Sequence, residues 1–249
     1  MSSPPEKSVS LSDLPRYRAI AGKRKHFAVY RQIVKTLNNF QRFNLALGGV
    51  FPPGLAQCRR SVFFEVTVGR RIPDCLVLFS SEGLVRKIVC YVFELKTTQS
   101  SADADSVRKH SSTHYLQYVQ GLRQLKDTVD DLRGFSSGAE GDVWDLIPVI
   151  VFYPQNEARP SFCRAFRVTT LRFRTESLVR VLCRGQDESV RNILSSARAQ
   201  DRARSRARRR ARVHSGGVRR ARRECPVGPG ACTSAPVRRY RYRAKKATR

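Results

Sequence analysis

Apolar residues recur at helical spacing near the start of the chain, after a proline-containing segment with little periodicity. Phe27, Tyr30, Ile33 and the apolar residues that follow predict an amphipathic helix over residues 23–40. The opposite side of this helix carries basic residues and no acid, namely Lys23, Arg24, Lys25, His26, Arg31 and Lys35. Such a side is typical of a solvated surface, and it is equally suited to face phosphate.

Three runs rich in β-branched and aromatic residues follow, over residues 61–68, 74–79 and 88–96. Gly69 lies at the first junction and the turn-forming segment 80–83 at the second. These breaks predict an antiparallel meander of three strands.

A second amphipathic helix follows a polar linker. Its apolar residues recur from Tyr115 to Leu132, and Gly134 ends the pattern. The almost wholly apolar run over residues 146–153 then predicts a strand that is covered on both faces. Weaker patterns predict one strand and two helices, near residues 166–173, 176–183 and 187–197. The predicted core order is helix, three strands, helix, strand.

Basic charge is concentrated at the C-terminal end of the chain. The 249 residues hold 48 Lys and Arg against 20 Asp and Glu, a formal net charge of +28. Residues 197–249 carry 19 of these basic residues and two acids, so +17 lies there and +11 on the remainder. We therefore expect a flexible extension over residues 1–22, one α/β domain over residues 23–196 and a disordered Arg-rich tail over residues 197–249.

The predicted tail would bind any polyanion at low salt, and Arg208, Arg209 and Arg210 are its strongest candidates for contacts with nucleic acid. Nuclear import and nucleolar retention through RNA would follow from such binding. The alternative interpretation is a solubilising extension.

Composition excludes several other classes of protein. No apolar run approaches the ~18 residues of a membrane-spanning helix, and the first seven residues lack the apolar centre of a secretory signal. We therefore expect a soluble intracellular protein. The seven cysteines are irregularly spaced, which favours buried reduced thiols over a metal site at Cys225 and Cys232.

Acids stand at the ends of otherwise apolar strands. Asp74 opens the second strand, and strand periodicity places Glu94 and Lys96 on one face of the third. Asp74 shares that face only if the strand pairing sets it opposite Glu94 or an even number of residues away from that position. The sequence leaves this pairing open. Two convergent carboxylates and the Leu95 carbonyl would form an oxygen site for a hard cation such as Mg²⁺, completed by a phosphodiester.

The neighbouring polar residues suggest further roles at such a site. Lys96 would orient a water or stabilise developing negative charge, and Glu65 is a candidate further ligand or general base. Gln117, Gln120 and Gln124 share a stripe of the second helix that either contacts nucleic acid or is simply solvated. Gly121 on the same stripe costs roughly 1 kcal/mol against Ala, which indicates a close approach to a neighbouring strand.

This arrangement resembles the PD-(D/E)XK nuclease superfamily, whose common core has the same order of elements. Pro73-Asp74 matches the first part of the motif and Glu94-Leu95-Lys96 the second. More closely, residues 71–75, 90–97 and 117–122 resemble the herpesviral nuclear protein family named after the twenty-fourth reading frame of the unique long region. That resemblance covers about residues 23–183.

The resemblance implies an endonuclease-like core that uses Mg²⁺ or Mn²⁺ on DNA or RNA. It also implies residence in the host nucleus and nucleolus, presence in the virion, nucleolar RNA or protein partners, and roles in disturbing nucleolar organisation and the host cell cycle. Many superfamily members carry a further acid on the first helix, and this helix has none. The alternative is therefore a catalytically inactive nuclear protein that uses the same fold to bind nucleic acid.

Overall fold

The structure, a computed structural model, describes residues 16–81, 87–193 and 195–196. Contacts divide the chain into units over residues 1–201 and 202–249, and every described residue belongs to the first. The predicted disordered tail, with Arg208, Arg209 and Arg210, lies outside the described residues, as do the first 15 residues of the predicted extension.

Two helices replace the single one predicted over residues 23–40. Helix α1 (Arg16–Thr36) begins inside the predicted extension, and α2 (Phe40–Ala46) follows after a short break. Asn39 accounts for the division, because its side chain accepts a hydrogen bond from Arg42 N at 3.0 Å. Asparagine is among the best N-cap residues and so favours the start of a new helix there.

Within the described residues, six strands form one sheet, with β1 to β5 in spatial order and the sixth strand also paired with β4. Their bounds are β1 (Arg59–Phe64), β2 (Cys75–Ser80), β3 (Lys87–Thr98), β4 (Asp142–Pro154), β5 (Phe162–Ala165) and β6 (Thr169–Phe173). The first three strands form the predicted antiparallel meander. β4 pairs in parallel with β3 after a crossover that contains α3 (Thr113–Arg133), and α4 (Thr175–Gly185) follows the sheet. The predicted core order is confirmed. The strand predicted near residues 166–173 is present as the shorter β6, whereas β5, which also pairs with β4, was not predicted.

The sheet is buried on both faces. Phe93 of β3 packs in a cluster with residues of α1 and α2, whereas its neighbour Val92 packs on the other face with residues of α3 and α4. Val151 and Ile150 of β4 divide between the same two clusters. This double burial explains why β4 is apolar at nearly every position rather than at alternate ones.

The strand predicted over residues 61–68 is interrupted at Glu65. Its backbone has a φ of 45°, in the left-handed region that non-glycine residues seldom adopt. Beyond it, Val66 and Val68 form only isolated bridges, to Gln186 and Arg71. The ladder of β1 therefore ends at Phe64, and the chain turns at an acid that the sequence placed inside a continuous strand.

The described residues also bear on the cysteines and on the membrane. Cys58, Cys75, Cys90, Cys163 and Cys183 are free thiols, and the buried pair Cys75 and Cys90 agrees with the prediction of reduced core cysteines. None of the helices in this part of the chain combines the length and the apolar character needed to cross a membrane.

Helix α3 lies close against the sheet at Gly121, as the sequence predicts. A Cβ atom at this buried position would lie 2.5 Å from Ile150 Cδ1 and 3.1 Å from Lys96 Cε. Glycine thus allows α3 to pack beside the face of β3 that carries Lys96.

We expect Gly121→Leu to lower the free energy of unfolding by about 1–3 kcal/mol, because the new side chain must enter space that Ile150 and Lys96 occupy. Urea denaturation measures this change. Gly54→Leu is the matched control, since no atom of a described residue other than its chain neighbours lies within 4 Å of the corresponding Cβ, and the stability of this variant should change by about 0.5 kcal/mol or less. Equal losses in the two variants would contradict the packing argument.

Candidate functional site

The register between β2 and β3 brings two acids together. It pairs Cys75 with Phe93 directly across the two strands. Continued by one residue, it sets Asp74 opposite Glu94, and residues directly opposite each other project from the same face. The strand pairing that the sequence left open is therefore one that allows the carboxylates of Asp74 and Glu94 to converge.

Asp74 is held between β3 and α1. Its Oδ2 accepts a hydrogen bond from Leu95 N at 2.6 Å, just beyond the end of the β2 ladder. Pro73 precedes it and has no N–H with which to extend that ladder. Oδ1 of Asp74 lies 3.5 Å from Nδ1 of His26. The carboxylate is thus fixed by a strand on one side and approached by a helix on the other.

Glu94 and Lys96 form a buried pair at the end of β3. Lys96 Nζ donates to Glu94 Oε1 at 2.8 Å and to Gln124 Oε1 of α3 at 2.6 Å. The side chain of Glu94 is only 7% exposed and that of Lys96 11%. An ammonium has three donors, and these two bonds fix its direction while a third donor remains to meet an incoming oxygen.

Glu65 joins the same end of the sheet. Its Oε1 accepts a hydrogen bond from the hydroxyl of Tyr30 at 3.2 Å, and its backbone N donates to Asp74 O at 3.1 Å. The left-handed backbone at Glu65 costs of order 1–3 kcal/mol, which the surrounding contacts must offset. The structure therefore places all four predicted residues with chemistry, Glu65, Asp74, Glu94 and Lys96, around one end of the meander.

The carboxylates at this end are crowded and poorly hydrated. Burial raises the pKa of Asp74 to about 7, partly opposed by the hydrogen bond from Leu95 N. Burial also raises the pKa of Glu94 to about 7, and the charge of Asp74 adds to the rise while Lys96 opposes it. Both shifts mean that negative charge is costly here without a further cation.

Asp74, Glu94 and the Leu95 carbonyl fit a hard divalent cation by the chemistry of their donors. Mg²⁺ is commonly held by one or two carboxylates together with waters and substrate phosphates. Across the residues that the structure describes, no three His, Cys, Asp or Glu side chains are grouped to hold a metal. The donor set therefore suits a cation that binds together with a phosphate, rather than a permanently caged structural ion.

The glutamine stripe of α3 divides between the site and the solvent. Gln124 supports Lys96, and Gln117 donates through Nε2 to Thr97 O at 3.4 Å. The Oε1 atom of Gln117 is buried without a hydrogen-bond partner among the described residues. Gln120 is exposed. Two of the three predicted nucleic-acid contacts thus face the end of β3, and Gln117 keeps an unused acceptor there.

His26 and Tyr30 also belong to this end of the sheet, although their sequence pattern did not predict it. His26 was predicted on the basic side of the first helix, and Tyr30 belongs to its apolar pattern. The two residues are four apart and so adjacent on the helix surface, with ring centroids 6.1 Å apart. Burial lowers the pKa of His26 more than Glu94 raises it, which favours the neutral ring. The signal available in the sequence was this spacing.

Comparison with known proteins identifies the family to which the chain is similar. The model of the family described as herpes virus proteins UL24 and UL76 matches residues 12–193, a range that contains the whole site. A protein UL24 homolog of human herpesvirus 6B (strain Z29) is 38% identical over 189 residues, which cover 75% of this chain and 74% of that protein. A UL24 homolog of human herpesvirus 7 (strain JI) is 35% identical over 189 residues, covering 75% and 78%. No solved structure matches the chain.

Without divalent cations, the free energy of unfolding should fall as the pH rises from about 5 to about 8. The pKa values of Asp74 and Glu94 are raised to about 7 by burial, so the folded protein binds more protons at these groups than the unfolded chain. Their stabilising contribution is present at low pH and is lost as the pH passes the folded-state pKa. Urea unfolding in EDTA across this range measures the slope.

The double variant Asp74→Asn/Glu94→Gln is the control for this pH dependence, because amides do not titrate. We expect a flatter pH profile for the variant than for the parent chain. Parallel profiles would show that the two acids do not control the slope.

Proposed function

Since the chain belongs to the family of herpesvirus proteins UL24 and UL76, we propose that its folded core is a metal-dependent endonuclease of the PD-(D/E)XK type that acts on DNA or RNA. The observation that carries this proposal is the convergence of Asp74, Glu94 and Lys96 at the end of β2 and β3. The order of helix, three strands, helix and strand supports the same assignment.

Each residue at the site has a distinct role in this proposal. Asp74, Glu94 and the Leu95 carbonyl would hold Mg²⁺ or Mn²⁺, which when bound supplies Lewis-acid polarisation of a phosphoryl group. Lys96 is aimed by its bonds to Glu94 and Gln124, so that it would orient the attacking water or stabilise charge on the phosphate oxygens.

Glu65 would act as an auxiliary acid or base beside these residues. The hydrogen bond from Tyr30 orients one of its carboxylate oxygens, which leaves the other to accept a proton from water. His26, close to Asp74, would help to fix that carboxylate. These assignments use contacts already present before a substrate enters.

A second candidate function is a catalytically inactive nucleic-acid-binding core. The observation that favours it lies on α1, which presents His26 rather than an acid to Asp74. With two carboxylates and no further acid from this helix, the same end of the sheet would bind a phosphate backbone through Lys96 without cutting it.

We also propose that residues 197–249 direct the protein to the host nucleus and nucleolus through RNA or protein partners there. The concentration of 19 basic residues in that segment supports this localisation, because basic residues bind the phosphates of RNA. Disturbance of nucleolar organisation and of the host cell cycle, and presence in the virion, belong to the same proposal by family resemblance.

Cleavage assays with Mg²⁺ and Mn²⁺ on labelled DNA and RNA test the nuclease function. We expect Asp74→Asn, Glu94→Gln and Lys96→Met each to reduce the cleavage rate by roughly 100-fold or more, because each removes a charge that the transition state needs. Glu140→Gln is the matched control, since this carboxylate is 74% exposed and pairs with Arg174 away from the site. Cleavage that survives Asp74→Asn would exclude this site as the catalytic centre.

A failure of the purified chain to cut either nucleic acid with either metal would favour the second candidate. In that case we expect Lys96→Met to weaken binding, because its ammonium would be the phosphate contact. Unchanged binding in this variant would count against both functions of the site.

The triple variant Arg208→Ala/Arg209→Ala/Arg210→Ala tests the basic segment. For duplex DNA, the logarithm of the binding constant falls linearly with the logarithm of the salt concentration. In the variant this slope should be shallower by about 0.9 for each phosphate that the three arginines neutralise in the parent chain, because every neutralised phosphate releases condensed counterions. Salt titrations on two unrelated duplexes measure the slopes, which should agree with each other. An unchanged slope would show that these arginines do not touch phosphate.

A further inference from the structure

An open pocket lies between α1 and the segment that follows β4, outside the residues that the proposed chemistry uses. Its volume is about 580 Å³, and it is lined by Ile20, Ala21, Arg24, Lys25, Gln155 and Asn156. Ligand pockets in proteins commonly measure roughly 300–1,000 Å³, so this one has room for a nucleotide-sized group. None of the described residues that line it is acidic.

Both walls of the pocket are attached to the end of β3. Gly22 of α1 approaches that strand so closely that a Cβ would lie 3.0 Å from Thr97 Oγ1. On the other wall, Gln155 N donates to Thr98 O at 2.7 Å. The pocket therefore adjoins the end of β3, and His26, which follows Lys25 on α1, lies 3.5 Å from Asp74 of the site.

Lys25 joins the two walls and so defines the shape of the pocket. Its Nζ donates to the backbone oxygen of Gln155 at 3.2 Å and also to that of Glu157. Arg24, beside it, is exposed and forms no hydrogen bond or ion pair with another described residue. One cation therefore holds the pocket together, while no described residue engages the other, which can meet a ligand.

The lining combines three kinds of group that a nucleotide needs. The Arg24 guanidinium presents the planar donor set that binds phosphate oxygens in pairs. Ile20 is 55% exposed and offers apolar surface to the face of a base. The side-chain amides of Gln155 and Asn156 supply donors and acceptors for a base edge or a sugar hydroxyl.

We propose that this pocket is a subsite for one nucleotide of a single-stranded segment next to the phosphodiester held at Asp74, Glu94 and Lys96. A base that is paired in a duplex cannot enter a pocket of this kind, whereas an unpaired base can be splayed into it. The subsite rests on the proposed action on nucleic acid and adds its preference for unpaired strands.

Hydrogen exchange of the full chain, read by mass spectrometry, tests the subsite locally. The probes are single-stranded DNA and RNA of about eight nucleotides, added in EDTA so that no cutting occurs. We expect at least one probe to slow exchange in peptides that cover residues 20–27 and 154–158. Because the readout is confined to these peptides, binding elsewhere on the chain does not affect it.

Arg24→Glu should abolish the protection of both peptides and weaken the affinity for the single strand on the order of 10-fold, the effect of about 1.4 kcal/mol. Arg31→Glu is the matched control, because it makes the same charge change at an exposed position of α1 outside the pocket. It should keep the protection. Circular dichroism of both variants verifies that each is folded.

Several outcomes would overturn the subsite: no protection with either probe, equal protection by a duplex of the same length, or full protection by inorganic phosphate alone. The nuclease proposal fails separately. A chain that cuts nucleic acid but shows no protection keeps the nuclease and loses the subsite. A chain that shows protection without cutting keeps the subsite as part of a binding surface.

Discussion

The pairing register of β2 and β3 is the constraint on which the candidate site depends. It sets Cys75 opposite Phe93 at the end of the β2 ladder, and the adjoining Asp74 lies near enough to Glu94 for its charge to raise the pKa of that carboxyl. A slip of one residue would send the Asp74 side chain to the other face, because side chains alternate along a strand. The hydrogen bond from Leu95 N to Asp74 Oδ2 holds this register at the point where Pro73 leaves the ladder. Apolar burial on both faces resists the slip along the rest of the strand.

The same register places two acids where burial disfavours their negative charge, and the neighbouring residues compensate this effect only in part. Burial raises the pKa of both Asp74 and Glu94 to about 7, and Lys96 supplies a single positive charge to the group. Glu65, bound to Tyr30, adds another acid nearby. Residues 1–196 as a whole carry +11, so this acidic centre lies within a basic domain. Such a field attracts phosphate towards the domain while the centre itself needs a cation, and a metal that arrives with a phosphodiester satisfies both requirements.

The sequence predicted those features that depend on local pattern. The antiparallel meander, the apolar β4 and the close approach at Gly121 all follow from periodicity and from residues with special backbone properties. The register was not predictable, because the loop between β2 and β3 admits pairings that differ by one residue. The helix boundary at Asn39 was not predicted because the apolar pattern continues across it. The turn at Glu65 was not predicted because a positive φ at one residue does not change the hydropathy pattern. His26 and Tyr30 enter the site only through the packing of α1 on the sheet, which is a tertiary effect.

In the proposed function, different elements of this fold would carry catalysis and binding. The acids stand on β2 and β3, which the register and double burial hold rigidly, whereas the cations of the pocket stand on α1 and contact the segment after β4. His26 is the residue that joins the two, because it follows Lys25 on α1 and approaches Asp74. An acid at that position would add a metal ligand but would also add negative charge beside two carboxylates whose pKa values are already raised. A neutral imidazole avoids this repulsion, and the cation must then obtain its remaining ligands from the phosphate and from water. In the proposed function, retention of the cation would thus be linked to occupancy by nucleic acid, so that binding through α1 would precede and support the chemistry at the sheet.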